Sequence, residues 1–312
     1  MQLNFFSIDR ATPNTALAVL VLFLSGAFVP ARGDNLTDPT RGDMVLFPGP
    51  LQELELPGTP GSGAAAVSKP VVMGLNIPGK SFRAGDGWWS LICDSGCRLS
   101  PARMAATPAT HPVYDSDPTP SQILSWTPLP KGLSTRNGNS ESDLPGPKLL
   151  AMVKPIRSLQ GLMLTAGPVK TWLHQAMENY PAGSRIGTME VSIPITPNTN
   201  ALLVPRLRRA LAGPENTGQA ETMLLELRIG DRRQQLGLFD TSGIEGLGPV
   251  RPTAYLMWAG DLDGDGQLDL LVDFSGGNGR KVELFLSTLA TGEDLVGSAG
   301  SFEFYDPSSA GC

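Results

Sequence analysis

A glycine or a proline falls at about every fifth position of this chain, 36 glycines and 28 prolines in 312 residues. Proline breaks a helix interior by removing an N–H donor and clashing with the preceding turn, and glycine weakens one through its backbone freedom. Such punctuation suits many short strands joined by tight turns and falls short of the level that signals disorder. Hydrophobic residues make up 41% of the chain, enough for a core. The expected fold is mainly β: a small N-terminal β unit, then a larger antiparallel β-rich unit with one helix and an aspartate-rich hairpin loop.

Charge excludes one class of partner. The formal net charge is −6 and the isoelectric point about 5.0. A protein that neutralises phosphates needs a basic stripe, and the best cluster, Arg206, Arg208 and Arg209, reads as a solvated face. No nucleic-acid partner is expected.

Residues 16–29, ALAVLVLFLSGAFV, form an apolar run too short to span a bilayer comfortably, with Arg10 before it and small residues at its end. It reads as a secretory signal peptide over 1–31. The mature chain is then secreted or periplasmic, in the cell envelope, with no stable membrane span after cleavage. Cysteines 93, 97 and 312 would meet an oxidising compartment. Cys93 and Cys97 can bridge across CDSGC, or Cys312 can pair with one of them or with another chain. Zinc at Cys-x3-Cys lacks a second ligand pair nearby.

Along the mature chain, 32–69 is a flexible Pro/Gly-rich segment in which QELEL alternates like a short strand. A small β unit spans 70–114, where WWSLIC and CRLSPARMAA read as strands around a DSG turn with Trp88 and Trp89 on opposite faces. Residues 115–148 read as a linker or long loop, and 149–312 as a β-rich calcium-binding domain. In PVKTWLHQAMEN, Val169, Trp172, Leu173, Ala176 and Met177 recur at helical spacing and Pro181 supplies a stop, which predicts a helix. MEVSIPI and ALLVPRL follow as strands. MLLELRIGDRRQQLGLF reads as a hairpin turning at Gly230-Asp231, a pair that suits a primed turn. AYLMWAG leads to LDLLVDF and KVELFLS. Leu268, Leu270, Val272 and Phe274 share one face of LDLLVDF, where Val282, Leu284 and Leu286 are expected to meet them.

Between the first two of these strands lies GDLDGDGQLDLL, residues 260–271. Asp261, Asp263 and Asp265 occupy loop positions 1, 3 and 5, Gly266 the sharp turn at 6, Gln267 the backbone-carbonyl position 7, and Asp269 position 9. Alternate carboxylates in a curled loop point inward and repel one another unless a cation joins them. The hard Ca²⁺ ion accepts 6–8 oxygens and is the cofactor this spacing predicts. Position 12 is Val272, which removes the bidentate glutamate of an EF-hand, and a strand follows where an EF-hand has a helix.

Residues 255–285 thereby resemble the FG-GAP or VCBS repeat, the calcium hairpin of integrin α-chain propellers, present here as a single copy. The resemblance implies metal ligation by Asp261, Asp263, Asp265, Gln267 through its carbonyl, and Asp269. It also implies a non-catalytic binding or structural module at a cell surface, with a protein or a surface glycan as partner.

Other motifs carry less. GLNIPGKS at 74–81 matches a phosphate loop in letters, but FRAGDGWWSL follows in place of the required helix. Asp94-Ser95-Gly96 and FDTSG at 239–243 resemble the active triplets of aspartic proteases, which makes a secreted hydrolase using Asp94 and Asp240 the rival function. His111 precedes a proline in a loop, and His174 is expected on the exposed side of the helix. RGD triplets at 32–34 and 41–43 and the sequon at Asn35 fall in the flexible start.

Overall fold

Short antiparallel strands build the protein, in keeping with its glycine and proline spacing. The structure is a computed structural model, which describes residues 40–57, 71–78, 81–111, 117–133, 146–156, 162–175, 190–209, 221–240, 255–275 and 279–305. The apolar run at 16–29, the first RGD triplet, Asn35 and Cys312 lie outside them. Among the described residues no helix is long and apolar enough to cross a membrane.

The strands, in chain order, are β1 (Thr40–Gly42), β2 (Met44–Pro48), β3 (Gln52–Glu55), β4 (Val71–Pro78), β5 (Gly85–Cys93), β6 (Cys97–His111), β7 (Thr119–Thr127), β8 (Lys148–Pro155) and β9 (Gly167–His174). They continue with β10 (Val191–Thr196), β11 (Thr199–Arg209), β12 (Glu221–Ile229), β13 (Arg232–Asp240), β14 (Leu256–Asp261), β15 (Asp269–Asp273), β16 (Gly279–Leu286) and β17 (Gly297–Tyr305). A 3-10 turn at Ser287–Leu289 follows β16.

Thirteen strands form one sheet, ordered β1-β17-β16-β15-β14-β9-β6-β5-β8-β2, with β7, β4 and β3 branching from β6. Its two ends, β1 and β2, are consecutive in the chain on either side of Asp43, so the sheet is nearly closed. Strands β10 to β13 form a separate four-stranded meander. The expected Gly230-Asp231 hairpin joins β12 to β13, with Gly230 at φ 59°.

Strands of 70–114 and of 149–312 are hydrogen-bonded neighbours, β6 pairing with β9 through Cys97↔Val169. The polar stretch 115–148 contributes β7, which buries Ile123, Leu124 and Trp126. The Pro/Gly-rich start contributes β2, whose Met44, Leu46 and Phe47 are fully buried, and the QELE strand, β3. The second RGD triplet sits in β1 and its link to β2.

Two apolar clusters lie on the sheet's two faces. One gathers Met44, Phe47, Trp88, Trp126, Met152, Trp258, Leu271 and Leu284. The other joins β14 to β16 with the meander through Leu203, Leu225, Phe239, Leu270, Phe274 and Phe285. Strand β14 is buried along its whole length, as expected of a strand covered on both faces.

Two expectations are corrected. The helix predicted from Val169, Trp172 and Leu173 is the strand β9; Ala176 and Met177 lie outside the described residues. Ala259 pairs with Leu173 but Gly260 with Thr171, so Trp172 is an extra residue in β9. Such a bulge turns two successive side chains to the same side, and both Trp172 and Leu173 pack in the second cluster. Val169 packs against the first cluster, so the apolar i, i+3, i+4 spacing arises from the bulge on one face together with burial on the other. The second correction is one of register. Leu270 faces Phe285 and Leu271 faces Leu284, so Val282, Leu284 and Leu286 share a side with Leu271. Phe285 is the partner of Leu270 and packs in one cluster with Val272 and Phe274; a one-residue shift exchanges every side chain between faces.

Candidate metal centre

The aspartate loop closes the β14–β15 hairpin at the rim of the large sheet. Gly260, the last residue before it, has no room for a side chain: a Cβ would stand 2.1 Å from the Trp258 ring and 2.5 Å from the Lys170 carbonyl oxygen. Gly264 and Gly266 both take φ 82°, the left-handed region that favours glycine. These two glycines let the loop curl, and the aspartates hold the curl. Asp261 accepts the Gly264 N–H at 2.8 Å on Oδ1 and the Gly266 N–H at 2.9 Å on Oδ2. Asp265 Oδ1 accepts the Gln267 N–H at 2.7 Å, and Asp263 Oδ1 the Asp265 N–H at 3.3 Å.

The structure brings Asp261, Asp263 and Asp265 together, each with an oxygen within 4.8 Å of the others'. Oxygens that share one Ca²⁺ at 2.3–2.6 Å stand no more than about 5 Å apart, so the trio fits a hard dication. Asp261 and Asp263 are buried and Asp265 exposed.

Asp269, fully buried, is not one of that trio but borders it, since Ser287 Oγ lies within hydrogen-bond reach of both Asp265 and Asp269. Its Oδ2 accepts the Leu262 N–H at 2.7 Å, and its Oδ1 accepts the Ser287 N–H at 2.8 Å and lies 3.1 Å from Ser287 Oγ. It fastens both ends of the loop to the chain after β16. Gln267 is exposed, and its side-chain amide donates to Asp265 Oδ2 at 3.3 Å. Asp273, beyond the loop, accepts the Ser275 N–H and shapes the next turn.

Two residues that sequence reasoning missed complete the site. Ser287 Oγ donates to Asp265 Oδ2 at 2.7 Å, and Thr288 Oγ1 to Asp263 Oδ2 at 2.6 Å. Their signal was the β15–β16 pairing itself: with Leu270 opposite Phe285, the residues just after β16 return beside the residues just before β15.

The electrostatics follow from burial. Burial pushes Asp269 up to about 8; the N–H groups of Ser287 and Leu262 oppose this, and the charges of Asp263 and Asp265 add to it. Burial also raises Asp263, helped by the charges of Asp265 and Asp261 and opposed by hydrogen bonds from Thr288 and Asp265. A buried carboxylate that resists ionisation beside other carboxylates is what a dication would relieve.

The remaining motifs are placed elsewhere. In GLNIPGKS, Gly74 to Pro78 belong to β4, and residues 81–84 run without a helix into β5. Asp94 is exposed in the turn between β5 and β6, whereas Asp240 ends β13 in the other sheet. His111 ends β6 and is not in a loop; its ring meets that of Phe304 edge-on, centroids 6.4 Å apart. His174, expected at the surface, is buried at the end of β9, where it pairs with Trp258 of β14. Burial lowers its pKa, and the charge of Asp94 opposes that shift. Cys93 and Cys97 form a disulfide.

The chain matches no family model, no curated protein and no solved structure.

Proposed function

We propose that the hairpin loop 261–269 holds one Ca²⁺ through Asp261, Asp263 and Asp265, with the Gln267 carbonyl and Asp269 completing the site. The ion staples β14 to β15 in a secreted or periplasmic protein. The observation that carries this reading is the three carboxylate groups with oxygens within 4.8 Å of one another, in a loop curled by two left-handed glycines. The resemblance of 255–285 to the FG-GAP/VCBS hairpin supports the same ion, since this loop also joins two antiparallel strands.

The staple serves a non-catalytic binding or structural module of the cell envelope, with a protein or a surface glycan as partner. Calcium at extracellular levels loads sites of about 10⁻⁴–10⁻³ M, the affinity of extracellular modules. The module therefore reaches full stability only outside the cytoplasm.

Titration calorimetry on folded, metal-stripped protein tests this reading. One Ca²⁺ should bind per chain, and the heat should vanish in Asp263→Ala/Asp265→Ala. Folded wild-type protein that takes up no Ca²⁺ would refute it.

A further inference from the structure

A second constellation lies two strands away from the aspartate loop, across β9 in the sheet order β14-β9-β6. Cys93 ends β5, Cys97 begins β6 and His174 ends β9. One ligand atom from each lies within 4.8 Å of the other two, and all three residues are buried. Side chains from three strands converge there although nothing in local sequence links His174 to the CDSGC turn.

We propose that the Cys93–Cys97 disulfide is a redox-gated site for a soft or borderline dication of the Zn²⁺ class, in which reduction exposes two thiolates that bind the ion together with the imidazole of His174. The reductant is a dithiol. Two electrons and two protons pass from it to the S–S bond, yielding two cysteine thiols and the oxidised, cyclic disulfide of the reductant. The ion then binds, and the two thiols release their protons to solvent as the metal–sulfur bonds form.

The donor set suits the ion. Zn²⁺ takes Cys sulfur and His nitrogen at about 2.3 and 2.0 Å in a tetrahedron, so its ligand atoms lie less than about 4 Å apart. Reduction frees the bonded sulfurs to part to that spacing, and a His174 nitrogen already lies within 4.8 Å of both. Burial also disfavours the imidazolium form and leaves His174 as the neutral ligand that metals require. The turn Asp94-Ser95-Gly96 beside the sulfurs is exposed and gives the reductant and the ion their way in. The fourth coordination position falls to water. This site stands independently of the calcium loop: its donors are sulfur and nitrogen, and no aspartate of 261–269 belongs to it.

The test uses the full chain and its Cys312→Ser variant, the latter to remove the third thiol. Each is reduced with dithiothreitol, freed of it under argon and titrated with Co²⁺ in saturating Ca²⁺. A sulfur-to-cobalt charge-transfer band is expected in both reduced proteins and absent from the oxidised ones. Zn²⁺ should bleach it at one equivalent. In His174→Gln, which keeps the disulfide, the Co²⁺ dissociation constant should rise about tenfold or more. Reduced, folded protein without the band overturns the proposal, as does a His174→Gln variant with unchanged affinity. If reduction abolishes the near-ultraviolet circular dichroism, its recovery on adding Zn²⁺ supports the site and failure to recover counts against it. The carboxylate loop carries no sulfur, so its metal binding is silent in this assay.

Discussion

Two hairpins in the same sheet close in opposite ways. The β5–β6 turn is held by a covalent bond between Cys93 and Cys97 around three residues. The β14–β15 loop is held by carboxylates that accept its own N–H groups, and among its nine residues four are aspartates. A disulfide adds no charge to the folded state. Carboxylates organise a longer loop but crowd acidic groups together, and burial disfavours their ionisation at Asp263 and Asp269. The contrast predicts that the second hairpin answers to its ionic surroundings and the first to its redox surroundings.

The largest contrast is steric. Gly260→Ala places a methyl group against the Trp258 ring and the Lys170 carbonyl, whereas a Cβ on Gly96, in the disulfide turn, meets nothing within 4 Å. Urea unfolding should show a loss of about 3 kcal/mol or more for Gly260→Ala and within about 0.5 kcal/mol for Gly96→Ala. Equal losses would remove the distinction.

Chemical treatments come next. Reduction in metal-free buffer should cost about 2 kcal/mol, from the closure entropy of so short a loop. Transfer of the oxidised protein from Ca²⁺ at ten times its dissociation constant to chelator should cost about 1.4 kcal/mol. The two losses should add in urea titrations with both treatments, because the sites share no ligand.

The hairpins should also respond oppositely to pH. His174, beside the disulfide, has its folded pKa below the ordinary 6.5. The unfolded chain therefore binds more protons below pH 6.5, and stability falls as pH drops through that range. Asp269 sits at about 8 in the folded protein against 3.8 normally. In calcium-free protein the folded state binds more protons between those values, so stability falls as pH rises through that window. Either slope is at most about 1.4 kcal/mol per pH unit. Urea midpoints across pH 5 to about 8 should lose the alkaline decline in Asp269→Asn and the acid decline in His174→Gln. Calcium should flatten the alkaline limb of the wild type by stabilising the ionised carboxylates.

The smallest effect belongs to Thr288→Val, which removes the donor to Asp263 Oδ2. About 1 kcal/mol of stability should disappear in a thermal melt in chelator. Asp263 would be left without that hydroxyl, and the paired Thr288→Val/Asp263→Asn variant should show the two losses to be non-additive.

Residues close in sequence made much of the β architecture and the aspartate loop legible. The Gly230-Asp231 turn, the CDSGC turn and the spacing of Asp261, Asp263 and Asp265 are each contained within a few residues, so local rules suffice. Val169, Trp172 and Leu173 misled because a bulge opposite Gly260 puts Trp172 and Leu173 on one face while Val169 packs on the other, and the sum copies helical periodicity. Val282 and Leu284 misled because both faces of β16 have apolar partners, leaving alternation unable to choose a register.

By itself, then, the sequence determined that this chain forms many short strands and gathers four carboxylates in one loop. Both follow from backbone freedom at glycine and proline and from nearest-neighbour spacing. Only the tertiary structure decided that Ser287 and Thr288 return to that loop, that Asp269 is buried, and that His174 stands beside Cys93 and Cys97. Those relations depend on strand order and register across the sheet, which pair residues far apart in the chain through contacts that no local pattern encodes.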